Sequence, residues 1–155
     1  MATEKKSIVL EYLNALAKLY AGHEYGEGYY KWVLENGKLF TEKEDAKKFR
    51  KSFRKRFKGC YYNAQVMAVD NRELKYYEGW GVTEAVGIPL EHGFNVVGEK
   101  VVDISWADGK EYFGIEVPVD FVMREMVSEE TAHPVLFLFW KNQENKNKRR
   151  KHGKT

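Results

Sequence analysis

Residues 91–106, EHGFNVVGEKVVDISW, are the stretch on which the fold turns. Two apolar runs flank Gly98-Glu99, and glycine at the first central position favours a two-residue type II′ hairpin. Such a turn sets Val97 opposite Lys100, Phe94 opposite Asp103 and His92 opposite Ser105. Side chains alternate along a strand, so His92 and Asp103 then share a sheet face as diagonal neighbours. Their backbones would lie roughly 7–8 Å apart, within side-chain reach. A three-residue turn would put them on opposite faces. A carboxylate amid apolar strand residues is costly to bury unless it has a partner, and His92 is the expected partner of Asp103.

Outward from this hairpin, the strand pattern extends in both directions. LKYYEGWGV, PLEHGFNVV, KVVDISW and KEYFGIEV are rich in Val, Tyr, Phe and Trp and are separated by glycines, which predicts a run of antiparallel strands ending at Pro118. VDFVMREMV reads as a helix after it, HPVLFLFW as a buried strand, and residues 141–155 as disordered by composition. Towards the N-terminus the period changes. Cys60 to Val69 is helical, with Ala64, Met67 and Ala68 on one side and Asp70-Asn71 as the stop. TEKEDAKKFRKSFRKRF predicts a helix from a Thr41/Glu44 capping box, with Ala46, Phe49, Phe53 and Phe57 on one face. YYKWVLENG fits a short helix ending at Asn36-Gly37, the preferred reading, or a strand entering an Asn-Gly turn. Residues 7–20 form an amphipathic helix with Ser7 as its N-cap and Ile8, Leu13, Leu16 and Leu19 on its apolar face. Helices first and strands second predict an α+β class.

The 155 residues suit one domain, and 43% hydrophobic content supports one core without disulfide or metal staples. The N-terminal run carries Glu11 and Lys18 and lacks a signal peptide's features. No apolar stretch approaches membrane-spanning length. A soluble, cytoplasmic protein with no membrane contact is the expectation. The net charge of +3 is unevenly spread. Residues 43–58 hold nine Lys or Arg against Glu44 and Asp45, residues 141–155 hold seven against Glu144, and the remainder is acidic. Such asymmetry predicts either solvated basic surfaces or nucleic-acid contact through Lys51, Arg54, Lys55, Arg56, Arg149 and Arg150.

Cys60 is the only cysteine. It follows Gly59 and opens a helix, where free N–H groups and the helix dipole favour a thiolate. Its own N–H would supply half of an oxyanion hole. A nucleophilic thiol also needs a base and a group to orient that base. Of four histidines, His92 alone lies in a strand pattern, and the hairpin gives it Asp103. A zinc site would call for paired cysteines, which the chain lacks, and no phosphate-cradling glycine loop is present. No metal or cofactor is expected.

The order Cys60, His92, Asp103, with the thiol on a helix and the others on adjacent strands, resembles the transglutaminase-like branch of the papain-like thiol enzymes. In that family a helix-opening cysteine is followed by HAW on one strand and DPTW on the next. Here Gly93-Phe94 stands for Ala-Trp and Ile104-Ser105 for Pro-Thr. CYYNA, YYEGWG and YFGIEVP also resemble small bacterial and phage proteins that carry this core. The resemblance covers residues 58–118. It implies a papain/transglutaminase-like core over residues 58–140, a nucleophile helix packed on an antiparallel sheet, and helical elements over residues 1–57 packed upon it. It further implies a Cys60-His92-Asp103 triad for thiol-dependent acyl transfer or amide hydrolysis on a peptide, protein or small amide. Asn63 and Trp80 are the candidates for oxyanion or substrate contacts. The alternative is a non-catalytic binding module that uses the basic helix and tail.

Overall fold

A computed structural model describes residues 5–24, 26–49, 55 and 59–153. The described helices are α1 (Ile8–Leu19), α2 (Gly26–Asn36), α3 (Cys60–Asp70), α4 (Val119–Glu129) and α5 (Leu136–His152). The strands are β1 (Lys38–Phe40), β2 (Lys75–Thr83), β3 (Leu90–Val97), β4 (Lys100–Val102) and β5 (Gly109–Val117). They form one curled antiparallel sheet in the order β1-β5-β2-β3-β4. The class is α+β.

The expected hairpin register is present. Val97 pairs with Lys100, Val96 with Val101 and Asn95 with Val102. Gly98 has φ +59°, the left-handed conformation that glycine adopts without a Cβ penalty. The ladder stops at Val102, however, so the strand expected to run to Trp106 ends four residues early. The reason is local: the Asp103 carboxylate accepts the N–H groups of Ser105 and Trp106 at 2.9 and 3.1 Å, and this Asx-type turn outcompetes a ladder.

Alternation gives the sheet two different faces. Tyr76, Trp80, Val82, Phe113, Ile115 and Val117 project from one face into the main core. The helices cover it with Val9 and Leu13 of α1, Val33 of α2, Ala64 and Ala68 of α3, and Phe121 and Val122 of α4. The other face carries Phe40, Tyr77, Phe94, Val96, Val101 and Tyr112, with Trp106 packed against them.

Helix α1 is capped as its sequence predicts: Ser7 Oγ accepts the Leu10 N–H at 3.0 Å and donates to Glu111 on β5. Val9 rather than Leu19 joins Leu13 inside, and Leu19 is 68% exposed. YYKWVLENG is the helical alternative, α2.

Three expectations are overturned. The capping-box helix does not start at Thr41. The edge of β4 offers unpaired backbone, and residues 42–44 take it: Val101 N–H donates to Glu42 O and Glu44 N–H to Val101 O. Edge pairing of this kind fixes the segment as extended. A single 3₁₀ turn, Ala46–Phe49, follows; apart from Lys55, which is not helical, the rest of that predicted helix, with Phe53 and Phe57, lies outside the described residues. HPVLFLFW is not a strand, and residues 141–152 are not disordered, because both belong to α5. Leu136 and Trp140, one turn apart, are buried and anchor this helix. Its start is fixed from afar by Glu78, whose carboxylate accepts the N–H groups of Val135 and Leu136 at 2.9–3.0 Å. This long-range cap replaces the side-chain N-cap that Val135 cannot supply.

Candidate active site

Cys60 is the first residue of α3, after an N-cap glycine that makes no side-chain cap bond. The helix's first N–H groups therefore lack intrahelical partners. Two contacts pin α3 to the hairpin. Asn95 Nδ2 donates to Ala64 O at 2.8 Å, and Asn63 Nδ2 donates to Ser105 Oγ at 2.9 Å. The helix approaches β3 closely because residue 93 is glycine: a Cβ there would stand 3.0 Å from Tyr61 Cδ1 and 3.1 Å from the Tyr76 hydroxyl oxygen.

The departure of β4 gives the thiol its setting. In a two-residue hairpin the pair flanking the turn exchanges hydrogen bonds, and every second residue along β3 repeats that direction. Val97, Asn95 and Gly93 therefore aim their N–H groups towards the β4 edge. With β4 gone after Val102, the Gly93 N–H is left for the sulfur of Cys60. Burial pushes the thiol's pKa up. The interaction with the His92 ring, the Gly93 N–H, the charge of His92 and the Tyr61 N–H outweigh it, so Cys60 is more acidic than an ordinary cysteine.

His92 is fully buried on β3, opposite Gly79 of β2. Its Nε2 lies 2.9 Å from Asp103 Oδ2, which assigns the Nε2 proton to that bond and leaves Nδ1 as the basic nitrogen. Nδ1 is buried without an aligned hydrogen-bond partner among the described residues, yet the thiol and the ring interact. The pair interacts without a formed hydrogen bond at Nδ1, a looseness common before substrate binds. Burial lowers the imidazole pKa, and the bonds and charges of Asp103 and Cys60 more than reverse that, so His92 is held above its ordinary value.

Asp103 shares this burial. Oδ2 accepts from the Tyr112 hydroxyl at 2.8 Å as well as from His92, while Oδ1 takes the Ser105 and Trp106 N–H groups. Burial alone would raise its pKa, but His92, Tyr112 and the Trp106 N–H hold it below the usual carboxylate range. Trp106 stacks flat on the imidazole, with ring centroids 3.5 Å apart and planes 6° apart. Gly81 makes room for that indole, since a Cβ there would meet Trp106 Cζ3 at 2.7 Å. The three residues picked from the sequence thus come together as sulfur, imidazole and carboxylate.

Trp106 and Tyr112 were missed as parts of the site. Trp106 ends the quoted stretch and could have been counted with it. Tyr112 could not, because its approach to Asp103 depends on β5 lying beside β2, with Tyr112 opposite Gly81.

The other candidates fall elsewhere. Asn63 braces α3 to the Asp103 loop. Trp80 is buried opposite Glu91 and Phe113 and lines a cavity of about 590 Å³. Tyr61, which follows Cys60, and Glu91, which precedes His92, also line this cavity. Lys55 Nζ donates to Ile104 O at 3.3 Å. Arg149 and Arg150 are exposed in the last turn of α5, where the helix dipole favours cations. Lys51, Arg54 and Arg56 lie outside the described residues. No group of three His, Cys, Asp or Glu among the described residues has the arrangement of a metal site, and no described helix is long and apolar enough to cross a membrane.

No protein-family model matches the chain, and no curated protein or solved structure does so.

Proposed function

We propose that this protein is a thiol-dependent acyl-transfer or amide-hydrolysing enzyme with a papain/transglutaminase-like core. The observation that carries the reading is the row of half-buried Cys60 with buried His92 and Asp103, in which the thiol is held acidic and the imidazole basic. Each group has a role. His92 Nδ1 takes the Cys60 proton, and the thiolate attacks the acyl carbon of a peptide, protein or small amide. The Cys60 N–H receives the developing oxyanion. His92 Nδ1–H then protonates the leaving amine, the C–N bond breaks and a thioester remains. Water or an incoming amine, deprotonated by Nδ1, attacks the thioester, and the Cys60 thiolate leaves. Asp103 fixes the ring by its bond to Nε2 and stabilises the imidazolium without taking the proton. Trp106 shields that bond from water.

The test is alkylation by iodoacetamide as a function of pH. The wild-type thiol is expected to stay reactive well below pH 8.5, near which an ordinary cysteine titrates. His92→Ala should return the profile to the ordinary one. Wild-type and variant profiles that coincide near that ordinary value would overturn the reading.

A further inference from the structure

The cavity lined by Tyr61, the residue after Cys60, has a chemistry of its own. Its volume of about 590 Å³ is that of a small-ligand site. Rings form much of its wall: Tyr20, Tyr29, Tyr30, Tyr61, Trp80 and Phe137. Glu24, Glu78 and Glu91 also line it, with His23 as the one imidazole and no Lys or Arg among the described residues. Glu78 is already engaged by Tyr76, Val135 and Leu136. Glu24 and Glu91 are exposed at its rim. Burial is the first cause of the raised Tyr29, Tyr30 and Tyr61 pKa values, and the charge of Glu91 adds to all three. The Glu91 carboxylate is therefore felt across the cavity wall.

Aromatic faces attract cations and carboxylates neutralise them. An anionic ligand would meet three carboxylates, and a wholly apolar one would strip water from Glu24 and Glu91 without return. Tyr61, whose ring lines the cavity, packs on Gly93, whose N–H reaches the Cys60 sulfur, and Tyr61 feels the charge of that sulfur, so a group seated here belongs to the molecule being attacked at the sulfur. We infer that this aromatic, acid-rimmed cavity is a specificity subsite for a cationic side chain, guanidinium or alkylammonium, carried by the acyl substrate. This inference rests on the acyl-transfer reading for the word substrate, but the cation recognition is measured without chemistry.

The experiment uses the full-length Cys60→Ser protein and two small amides of the same shape, N-acetyl-arginine methylamide and N-acetyl-citrulline methylamide. Binding is followed by calorimetry and by tryptophan fluorescence, since Trp80 lines the cavity. The charged amide should bind at least about tenfold more tightly than its neutral isostere. Glu91→Gln, at an exposed position, should collapse that ratio, and Glu24→Gln should reduce it. Equal binding of the two amides, no saturable binding of the arginine amide, or a ratio indifferent to both Glu substitutions would overturn the inference. None of these outcomes depends on the thiol titration, so the two proposals fail separately.

Discussion

At the scale of the residue, Asp103 sets the behaviour of the site. Four donors converge on its two oxygens, two from backbone N–H groups and two from His92 and Tyr112. Asp103→Asn keeps the size but puts an amide where a charge held the imidazole basic. His92 should then lose its raised pKa and the thiol its acidity. Iodoacetamide alkylation at pH 6 is expected to fall about tenfold or more, since each pKa unit of displaced thiol titration is a factor of ten in thiolate below the titration. An unchanged rate at pH 6 would refute this account of Asp103.

At the scale of the element, two placements decide whether the site assembles. Gly93 lets the start of α3 reach the edge of β3. Gly93→Ala would press a methyl against Tyr61 and the Tyr76 hydroxyl. The expected cost is about 1–3 kcal/mol of stability from overpacking, with a disproportionate loss of thiol acidity because the helix start is pushed off the strand. Urea unfolding and the alkylation profile read the two effects separately. Glu78 does for α5 what a local cap does for α1. Glu78→Gln keeps an acceptor but removes the charge and gives Tyr76 and the two N–H groups a weaker partner, so a loss of about 1–3 kcal/mol is expected in urea unfolding. No change in unfolding midpoint would show that the bonds to Val135 and Leu136 contribute nothing net.

At the scale of the whole molecule, acid should act through Asp103. Its folded pKa lies below the usual carboxylate range, so the native state binds this proton less readily than the unfolded chain does. The stability it contributes is present above the unfolded carboxylate value of about 3.9 and is lost as pH falls through the folded value. Urea midpoints should therefore decline from about pH 5 downwards, and the decline should be shallower in Asp103→Asn. Parallel declines in the two proteins would place the acid sensitivity elsewhere.

The local chemistry of the chain determined a good deal. Ser7 specified the start of α1, Pro118 the end of the strand run, and Gly98 a turn that put His92 and Asp103 on one side of a hairpin. These follow from neighbours a few residues apart: a hydroxyl that meets an N–H three positions on, a ring without an N–H, a backbone free to take positive φ. What only the tertiary structure decided rests on partners far apart in sequence. Residues 42–44 gave up a capping box for the open edge of β4, a choice invisible until that edge exists. LFLFW became a helix because a carboxylate fifty-eight positions away from Leu136 accepts its first N–H groups. Tyr112 reached Asp103 because β5 pairs with β2, a register that no short-range pattern encodes. Backbone donors and acceptors must be paired wherever they are buried, and in this protein the long-range partners, not the local propensities, settled which pairing won.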